Sequence, residues 1–450
     1  MAARAIQATA YFFPESTGGT EVYVGDLARD LGRFGCVSTI LAPSPDLTAQ
    51  SYKWHGLPVN RYPCGDAGDR RIISGALPHL GFDRFLALLD QAEPGIYHQH
   101  SWSGGCGPHH LRAAKERGLR TVTTVHVPGN VCLSGTMMRM ATRACEGRID
   151  EDVCSKCWMV THKGIPQGIA GPFARISRKA ARGETPLLSG LSRFTAAFDM
   201  HRDRFELMDR YSDRIVAVCQ WLYDALLLNG IAKEKLVLCR QGVGDAPSLV
   251  SPRPPRGRGA VLRVGFLGRY YSVKGLDLLM NAMRRVPAAL PVELLIHGIA
   301  NNSTEAHYAR SVRKAAAGDR RIQFLPPVAR DRIWETLAGF DVLAVPSQWL
   351  ETGPLVVMEA IAAGTPVLGS DLGGISELVT AGRNGWLVPH DSVDAWAAAL
   401  ERLCGLFGPD LRPVPVRPVR TMRDVAQETS LLYASLLDAA RPDAAAFPAA

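Results

Sequence analysis

Short runs of β-branched and apolar residues alternate along the chain with stretches whose apolar positions recur at helical spacing. This alternation predicts an α/β architecture of parallel sheets covered on both faces by helices. In the first half, strands are expected at Arg4–Ala10, Ser38–Ala42, Gly95–Gln99, Thr121–His126, Arg214–Val218 and Lys235–Cys239, with helices between most of them. The stretch Ser248–Ala260, rich in arginine, proline and glycine and free of acidic residues, cannot enter a core and reads as a linker. After it the alternation restarts: Val261–Gly268 as a strand, Gly275–Arg285 as a helix, Val292–Gly298 as a strand, and onward to Trp386–Pro389. The expected organisation is a Rossmann-like domain over residues 1–247, a linker over 248–260, a second Rossmann-like domain over 261–408 and a C-terminal segment over 409–440. In that segment Met422–Asp438 is amphipathic, and a helix crossing back to the first domain is one option. Two doubly wound domains of this kind are expected to face a central cleft where strand C-termini and helix N-termini converge.

Composition narrows this picture slightly. A chain of 450 residues, 47% hydrophobic, has material for two cores. The net charge of +8 comes largely from scattered arginine, a mild bias toward anionic partners and not a nucleic-acid signature. The opening MAARAIQATAYFF lacks the layout of a signal peptide and no stretch stays apolar long enough to span a bilayer, so a cytoplasmic protein is expected. The ten cysteines are expected to be reduced, buried or metal-bound.

The candidate chemistry is densest in the second half. Glu351 and Glu359 flank the turn Gly353-Pro354, which is expected to open a helix at or near Pro354. The N–H groups near Leu355 and Val356 would then be free to meet an anion, which the helix dipole favours by up to about 1 kcal/mol. A carboxylate offers two acceptor oxygens suited to vicinal hydroxyls, so Glu359 and Glu351 are candidates for gripping a ribose or a hexose; taken alone, a solvated helix residue and a loop charge would explain them better. A second feature favours the first reading. The strand ending at Gly268-Arg269, followed by Lys274-Gly275, places two cations at the ligand end of a parallel sheet. Cations there stabilise the charge that a departing diphosphate develops, and removing either would raise the barrier by roughly 2.7 to 4 kcal/mol, by analogy with an oxyanion-hole donor.

Together these residues resemble glycosyltransferase family 4, retaining enzymes of the GT-B fold. The matching pieces are GGTE (Gly18–Glu21), GRYYSVKG (Gly268–Gly275), E-x7-E (Glu351 to Glu359), EAIAAGTPV (Glu359–Val367), GGISELV (Gly373–Val379) and GRNGWLVP (Gly382–Pro389), in the family's order. The resemblance implies that Arg269 and Lys274 hold the diphosphate, that Glu359 binds the ribose and that Glu351 faces the donor sugar. It also implies that Gly18 and Gly19 let the backbone approach the phosphates, that the first domain binds the acceptor and that no catalytic metal is required. Retention then proceeds by front-face attack, with the leaving phosphate taking the acceptor's proton. His126 closes a strand where the family commonly has a histidine beside the donor sugar; Val127 stands where aspartate often follows, which puts a proton relay in doubt. His100 is a candidate for the acceptor side, and His98, His109 and His110 are expected in loops or at the surface. Cys219-Gln220 and Pro326 depart from the family's usual serine and glycine.

Two features stand outside these motifs. Cys132, Cys145, Cys154 and Cys157 end in a C-x2-C, the knuckle of a thiolate zinc site; a closed structural zinc and four ordinary reduced thiols are both open readings. The insertion also resembles a cysteine-bearing loop in a subset of family 4. From Thr161 to Gly183 the chain carries Lys163, Arg175, Arg178, Lys179 and Arg182 without an acidic residue, fitting either a face for anionic lipid at the inner side of a membrane or a solvated helix face. The leading function is transfer of a hexosyl residue from a nucleotide-diphosphate sugar to a glycan, lipid-linked or small-molecule acceptor. A nucleotide-sugar epimerase and a non-catalytic nucleotide-sugar binding protein are the alternatives.

Overall fold

The computed structural model describes residues 3–15, 18–44, 48–66, 68–73, 75–93, 95–181, 196–244, 260–406 and 419–439. Most of the expected linker, Ser248 to Gly259, and Arg182 lie outside the described residues. The chain divides into two compact units, Met1–Gly244 with Thr421–Ala450, and Asp245–Arg420.

The first unit is built on β1 (Ala3–Ala8), β2 (Cys36–Ser44), β3 (Gln50–Trp54), β4 (Leu57–Pro63), β5 (Ile96–Gln99) and β6 (Arg120–Val125), a short hairpin of β7 (Met138–Arg139) and β8 (Arg143–Ala144), then β9 (Arg214–Ala217) and β10 (Leu236–Leu238). All but the hairpin form one sheet in the order β10-β9-β6-β5-β1-β2-β4-β3. Only β3 runs antiparallel to its neighbour. The tight turn His55-Gly56 between β3 and β4 has positive φ at both residues (45° and 85°), the geometry that suits a two-residue hairpin. Neither strand is among those expected from the sequence, because His-Gly is a weak hairpin signal beside Asn-Gly and Pro58 interrupts the second run.

Strand β1 shows why both faces of this sheet are covered: Ala5 packs into a cluster with Val24, Leu27 and Ile40, while Ala8 packs with Leu41, Phe85 and Leu111 on the other side. The helix Met422–Asp438 belongs to this unit, where Met422, Val425, Ala426, Tyr433 and Leu436 join the first of those clusters. Its start is fixed by a capping box, Thr421 accepting from the Asp424 N–H and Asp424 from that of Thr421. A backbone bond from the Met422 N–H to the Val243 carbonyl (2.7 Å) anchors the entry.

The second unit contains β11 (Leu262–Arg269), β12 (Val292–Ile299), β13 (Ile322–Leu325), β14 (Val342–Val345), β15 (Val367–Ser370) and β16 (Gly385–Val388), ordered β13-β12-β11-β14-β15-β16. All are parallel. The chain runs outward from β11 through β12 to β13, then returns to lay β14 on the other flank of β11. The carboxyl ends of β11 and β14 therefore frame a topological switch point, where α/β sheets bind ligands. Among the described residues no helix is long and apolar enough to cross a membrane.

Candidate functional site

Three loops converge at the carboxyl edge of the second sheet. Arg269 is the last residue of β11, and the chain then makes one 3-10 turn, Ser272–Lys274, that ends on Gly275. Gly275 has φ of 70°, and a Cβ there would lie 1.9 Å from the Pro346 carbonyl oxygen, so only glycine lets this loop sit against the loop after β14. The Gln348 N–H donates to the Val273 carbonyl at 2.7 Å, locking the two loops together. Lys274 Nζ thereby reaches Glu351 Oε1 at 2.7 Å, and the same oxygen accepts from Ser347 Oγ at 2.8 Å. The Glu351 side chain is 7% exposed and that of Lys274 25%, so the pair is mostly withdrawn from water.

Glu351 is held from the other side too. The Gly374 N–H donates to the Glu351 carbonyl at 2.7 Å, and a Cβ on Gly374 would meet that oxygen at 2.6 Å; the glycine pair of GGISELV is there for close backbone approach. Gly353 has φ of 116°, and the helix Leu355–Ala362 follows. Pro354 is the residue before the helix, with extended ψ of 125°, so the helix opens at the next residue, near Pro354 as expected. Leu355 and Val356 are then the first helical residues, and their N–H groups have no acceptor within the helix.

Neither carboxylate is a solvated charge. Glu359 is buried and paired with Arg330, which stands in a 3-10 turn shortly after β13. Arg269 is half exposed and pairs with Glu305, a buried residue of the first turn of the helix Ser303–Ala316. Burial alone would raise the Glu305 carboxyl, but the Asn301 N–H (2.7 Å), Arg269 and Asn302 outweigh it and hold the group below its usual range. Arg330, Glu305 and Ser347 escaped sequence reading. Arg330 was accessible in principle, because it follows a strand end on the ligand edge of the sheet. Gly268 lies inside β11 opposite Gly298, one residue before Arg269.

The remaining candidates lie in the first unit. Gly18 caps the helix Gly19–Leu31, and a Cβ on it would press on the Glu21 carboxylate at 2.5 Å. His126 follows β6 directly and is buried, with the Tyr23 ring edge-on at 4.6 Å. It opens a chain of buried hydrogen bonds whose directions follow from the Gln7 amide. That amide donates to Tyr433 Oη (3.1 Å) and accepts from His100 Nε2 (2.8 Å). His100 Nδ1 then accepts from His126 Nε2 (3.2 Å), Tyr433 donates to His98 Nδ1 (2.6 Å), and His98 Nε2 donates to Thr124 (2.6 Å). His98 is thus a core residue of β5, not a loop or surface residue. His110 is buried as well, 3.1 Å from His79; only His109 keeps partial exposure. All four residues of β5 are buried, so His98 is covered on whichever face it lies.

Burial holds His98 and His126 down to about 3 and His79 down to about 4, and drives His100 and His110 well below 6.5. Above pH 6.5 these imidazoles are neutral whether the chain is folded or not. As the pH falls below 6.5 the unfolded chain takes up protons that the folded chain refuses, so stability is lost progressively down to the folded values. The thermal midpoint of the first unit is expected to fall steeply between pH 6.5 and 4. A flat midpoint across that range, followed by near-ultraviolet circular dichroism, would contradict the buried neutral network.

At the carboxyl ends of β1, β2 and β4 the first unit also carries a cavity of about 450 Å³ lined by Tyr11, Phe12, Pro43, Arg61, Cys64 and Asp66. Arg61 is 3% exposed and is held by the carbonyls of Pro43 and Phe12, both at 3.0 Å, and by Glu15.

The four cysteines share one lobe, and Cys154 senses the charges of the other three. Burial pushes the Cys132 thiol up and that of Cys154 up to about 12, and the Cys154 and Cys157 sulfurs lie 3.7 Å from the carbonyls of Arg148 and Met138. Among the described residues no group of three or more histidine, cysteine, aspartate or glutamate side chains is placed to hold a metal ion. The zinc expectation for Cys132, Cys145, Cys154 and Cys157 finds no support in this geometry. The basic stretch is not one continuous face either, since Arg178 turns back to pair with Glu151 and Asp152.

Two doubly wound units, the second carrying cations and buried carboxylates at its switch point, define the architecture of the GT-B glycosyltransferases. Residues 18–242 match the family described as glycosyl transferase 4-like domain, and residues 262–405 match that described as glycosyl transferases group 1. The chain belongs to glycosyltransferase family 4. Among curated relatives it is 36% identical over 149 residues to a D-inositol 3-phosphate glycosyltransferase of Rhodococcus erythropolis, a match covering 31% of this chain and 33% of that protein. Another of the same name from Nocardia farcinica is 37% identical over 148 residues, covering 32% of each. The matches thus span about a third of these relatives' length. Among solved structures, sucrose-phosphate synthase from Thermosynechococcus elongatus is similar over 97% of this chain and 100% of its own, with TM-score 0.64 and 16% identity. The catalytic domain of starch synthase IV from Arabidopsis thaliana, bound to ADP and acarbose, gives TM-score 0.62 and 15% identity over 97% and 100%. At such identities the likeness establishes the fold.

Proposed function

We propose that this chain is a retaining glycosyltransferase that moves a hexosyl residue from a nucleotide-diphosphate sugar to a glycan, lipid-linked or small-molecule acceptor. The observation that carries the reading is the Lys274–Glu351 pair, held at the switch point of the second sheet beside Arg269 and the opening of the helix Leu355–Ala362. In this reading the diphosphate lies at the helix N-terminus and against Arg269 and Lys274, whose charge is matched to what develops as the sugar leaves. Glu359 takes the ribose hydroxyls, displacing Arg330 wholly or in part. Glu351 takes hydroxyls of the donor sugar while Lys274 and Ser347 keep it oriented.

A carboxylate already engaged by an ammonium and a hydroxyl is a poor nucleophile, which favours front-face retention over a covalent intermediate on Glu351. The cations serve where other transferases use a metal. The first-unit cavity around Tyr11, Phe12 and Arg61 is the proposed acceptor pocket, its aromatic walls suited to an apolar sugar face or aglycone and Asp66 to a hydroxyl.

The test is a panel of nucleotide-sugars offered with candidate acceptors, read by product mass and by the anomeric configuration of the new bond. A glycoside whose configuration matches the donor is expected. Inversion would overturn the retaining mechanism. Conversion of the nucleotide-sugar alone into a stereoisomer would identify an epimerase, and binding without turnover a binding protein.

A further inference from the structure

The lobe formed by the β7–β8 hairpin and the helices Glu151–Lys163 and Gln167–Ala181 holds an open cavity of about 580 Å³, a volume typical of small-ligand sites. Arg139, Arg143, Lys156 and Arg175 line it, with Thr142 and Gln167 as further polar groups. Asp152 is the one acidic liner, and Arg178 already neutralises it. Among the described residues none of the four lining cations pairs with a carboxylate, whereas Arg4, Arg29 and Arg202 on open surface all do.

The arrangement is costly without a ligand. Arg139 and Arg143 are directly opposite each other in the antiparallel register of the hairpin, the position at which like charges destabilise a strand pair. The turn between them puts Met140 and Ala141 at positive φ (54° and 59°), a conformation that disfavours residues other than glycine. The Met140 N–H donates to Cys157 Sγ at 3.2 Å, fixing the hairpin to the first helix. Lys156 is carried by that helix, its Cδ 3.9 Å from where a Cβ on Gly171 would stand, so the small residue on the second helix leaves its stem room. Cations from three elements are thus held around one concavity, and among the described residues the only carboxylate lining it, Asp152, is paired with Arg178 instead.

We infer that this cavity is a binding site for a phosphate-bearing anion, separate from the donor residues of the second unit. Two or three guanidinium groups and an ammonium converging on one space match the several acceptor oxygens and the charge of a phosphate ester. The phosphate comes either from a soluble ester or from a lipid headgroup. Ile169 and Ile176, 58% and 42% exposed on the helix that carries Arg175, would meet acyl chains in the second case.

The experiment compares the full chain with Arg139→Ala/Lys156→Ala, with the charge reversal Arg143→Glu/Arg175→Glu at two exposed positions, and with Lys53→Ala/Lys233→Ala as a control of equal charge loss elsewhere. One arm measures sedimentation with phosphatidylglycerol–phosphatidylcholine vesicles against phosphatidylcholine alone at low salt. The other measures equilibrium dialysis of labelled inorganic phosphate. At about 1 kcal/mol per cation near an anionic surface, the alanine pair is expected to weaken vesicle binding about tenfold or more and the reversal further, with the control unchanged. That result supports the site and assigns the phosphate to a lipid. Phosphate binding lost in both pocket variants, with no vesicle binding by the parent chain, supports the site and assigns it to a soluble ester. Absence of binding in both arms, or binding that folded pocket variants retain, overturns the inference. Because donor turnover is not the readout, failure here leaves the glycosyltransferase reading standing.

Discussion

Replacing Lys274 by alanine is expected to lower turnover by about 10²–10³-fold, the effect of removing a charge-stabilising donor that acts on the leaving group. The structure supplies a way to separate this from damage to the fold. Lys274 Nζ lies 2.7 Å from Glu351 Oε1, so the variant also removes the ammonium that balances a buried carboxylate. A lower thermal midpoint should therefore accompany the lost turnover. Adding Glu351→Gln removes the unbalanced charge and is expected to recover most of the midpoint without recovering turnover. If the double variant regained activity along with stability, Lys274 would be a structural counter-ion and not a partner of the diphosphate. Lys274→Arg keeps the charge but replaces the compact ammonium, which Glu351 Oε1 meets at 2.7 Å, by a larger planar fork, so only partial rescue is expected.

A chain stopped after Arg420 is expected not to form a folded first unit. The missing helix, Met422–Asp438, buries Val425, Leu436 and Tyr433 to 0–5% exposure, together with Met422. At roughly 1.5–3 kcal/mol for each large side chain, the loss is on the order of 6–12 kcal/mol, comparable with the whole stability of an ordinary domain. Tyr433 adds a polar cost, because without its hydroxyl Gln7 and His98 are left with unmet hydrogen bonds in the interior. Circular dichroism and soluble yield read the outcome, and a truncated chain that melted cooperatively at two temperatures would refute it. Tyr433→Phe is the milder form, expected to cost about 1–3 kcal/mol from the unsatisfied partners alone.

What the sequence disclosed depended on how locally each feature is encoded. Short β-branched and apolar runs located β1, β5, β6, β11 and β12, because a parallel strand buried on both faces tends to be apolar over its own length. The β3–β4 hairpin was hidden because its turn chemistry lies in the conformation of His55 and Gly56 and not in a diagnostic residue pair. At the site, Arg269, Lys274, Glu351 and Glu359 were legible through glycine and proline punctuation that must flank them. The pairings of Arg330 and Glu305 were not, since each is tied to its partner across 29 or 36 residues; for Arg330 only its place after a strand end offered a hint. His98 was misplaced for a related reason: a polar residue is tolerated in the core only when its partners are in place, and those partners, Tyr433 and Thr124, come from the far end of the chain and from β6.

The return of Met422–Asp438 to the first unit also bears on how the protein is made. Everything from Asp245 to Arg420 emerges from the ribosome before the helix that completes the first hydrophobic cluster exists. At ~5–20 residues per second that interval lasts on the order of 10–35 s. Throughout it the surface that the helix will cover, including Val24, Leu27 and Ile40, waits without its partner, while the second unit has all of its own strands and can fold first. The half of the protein that is synthesised first is thus the last to be finished.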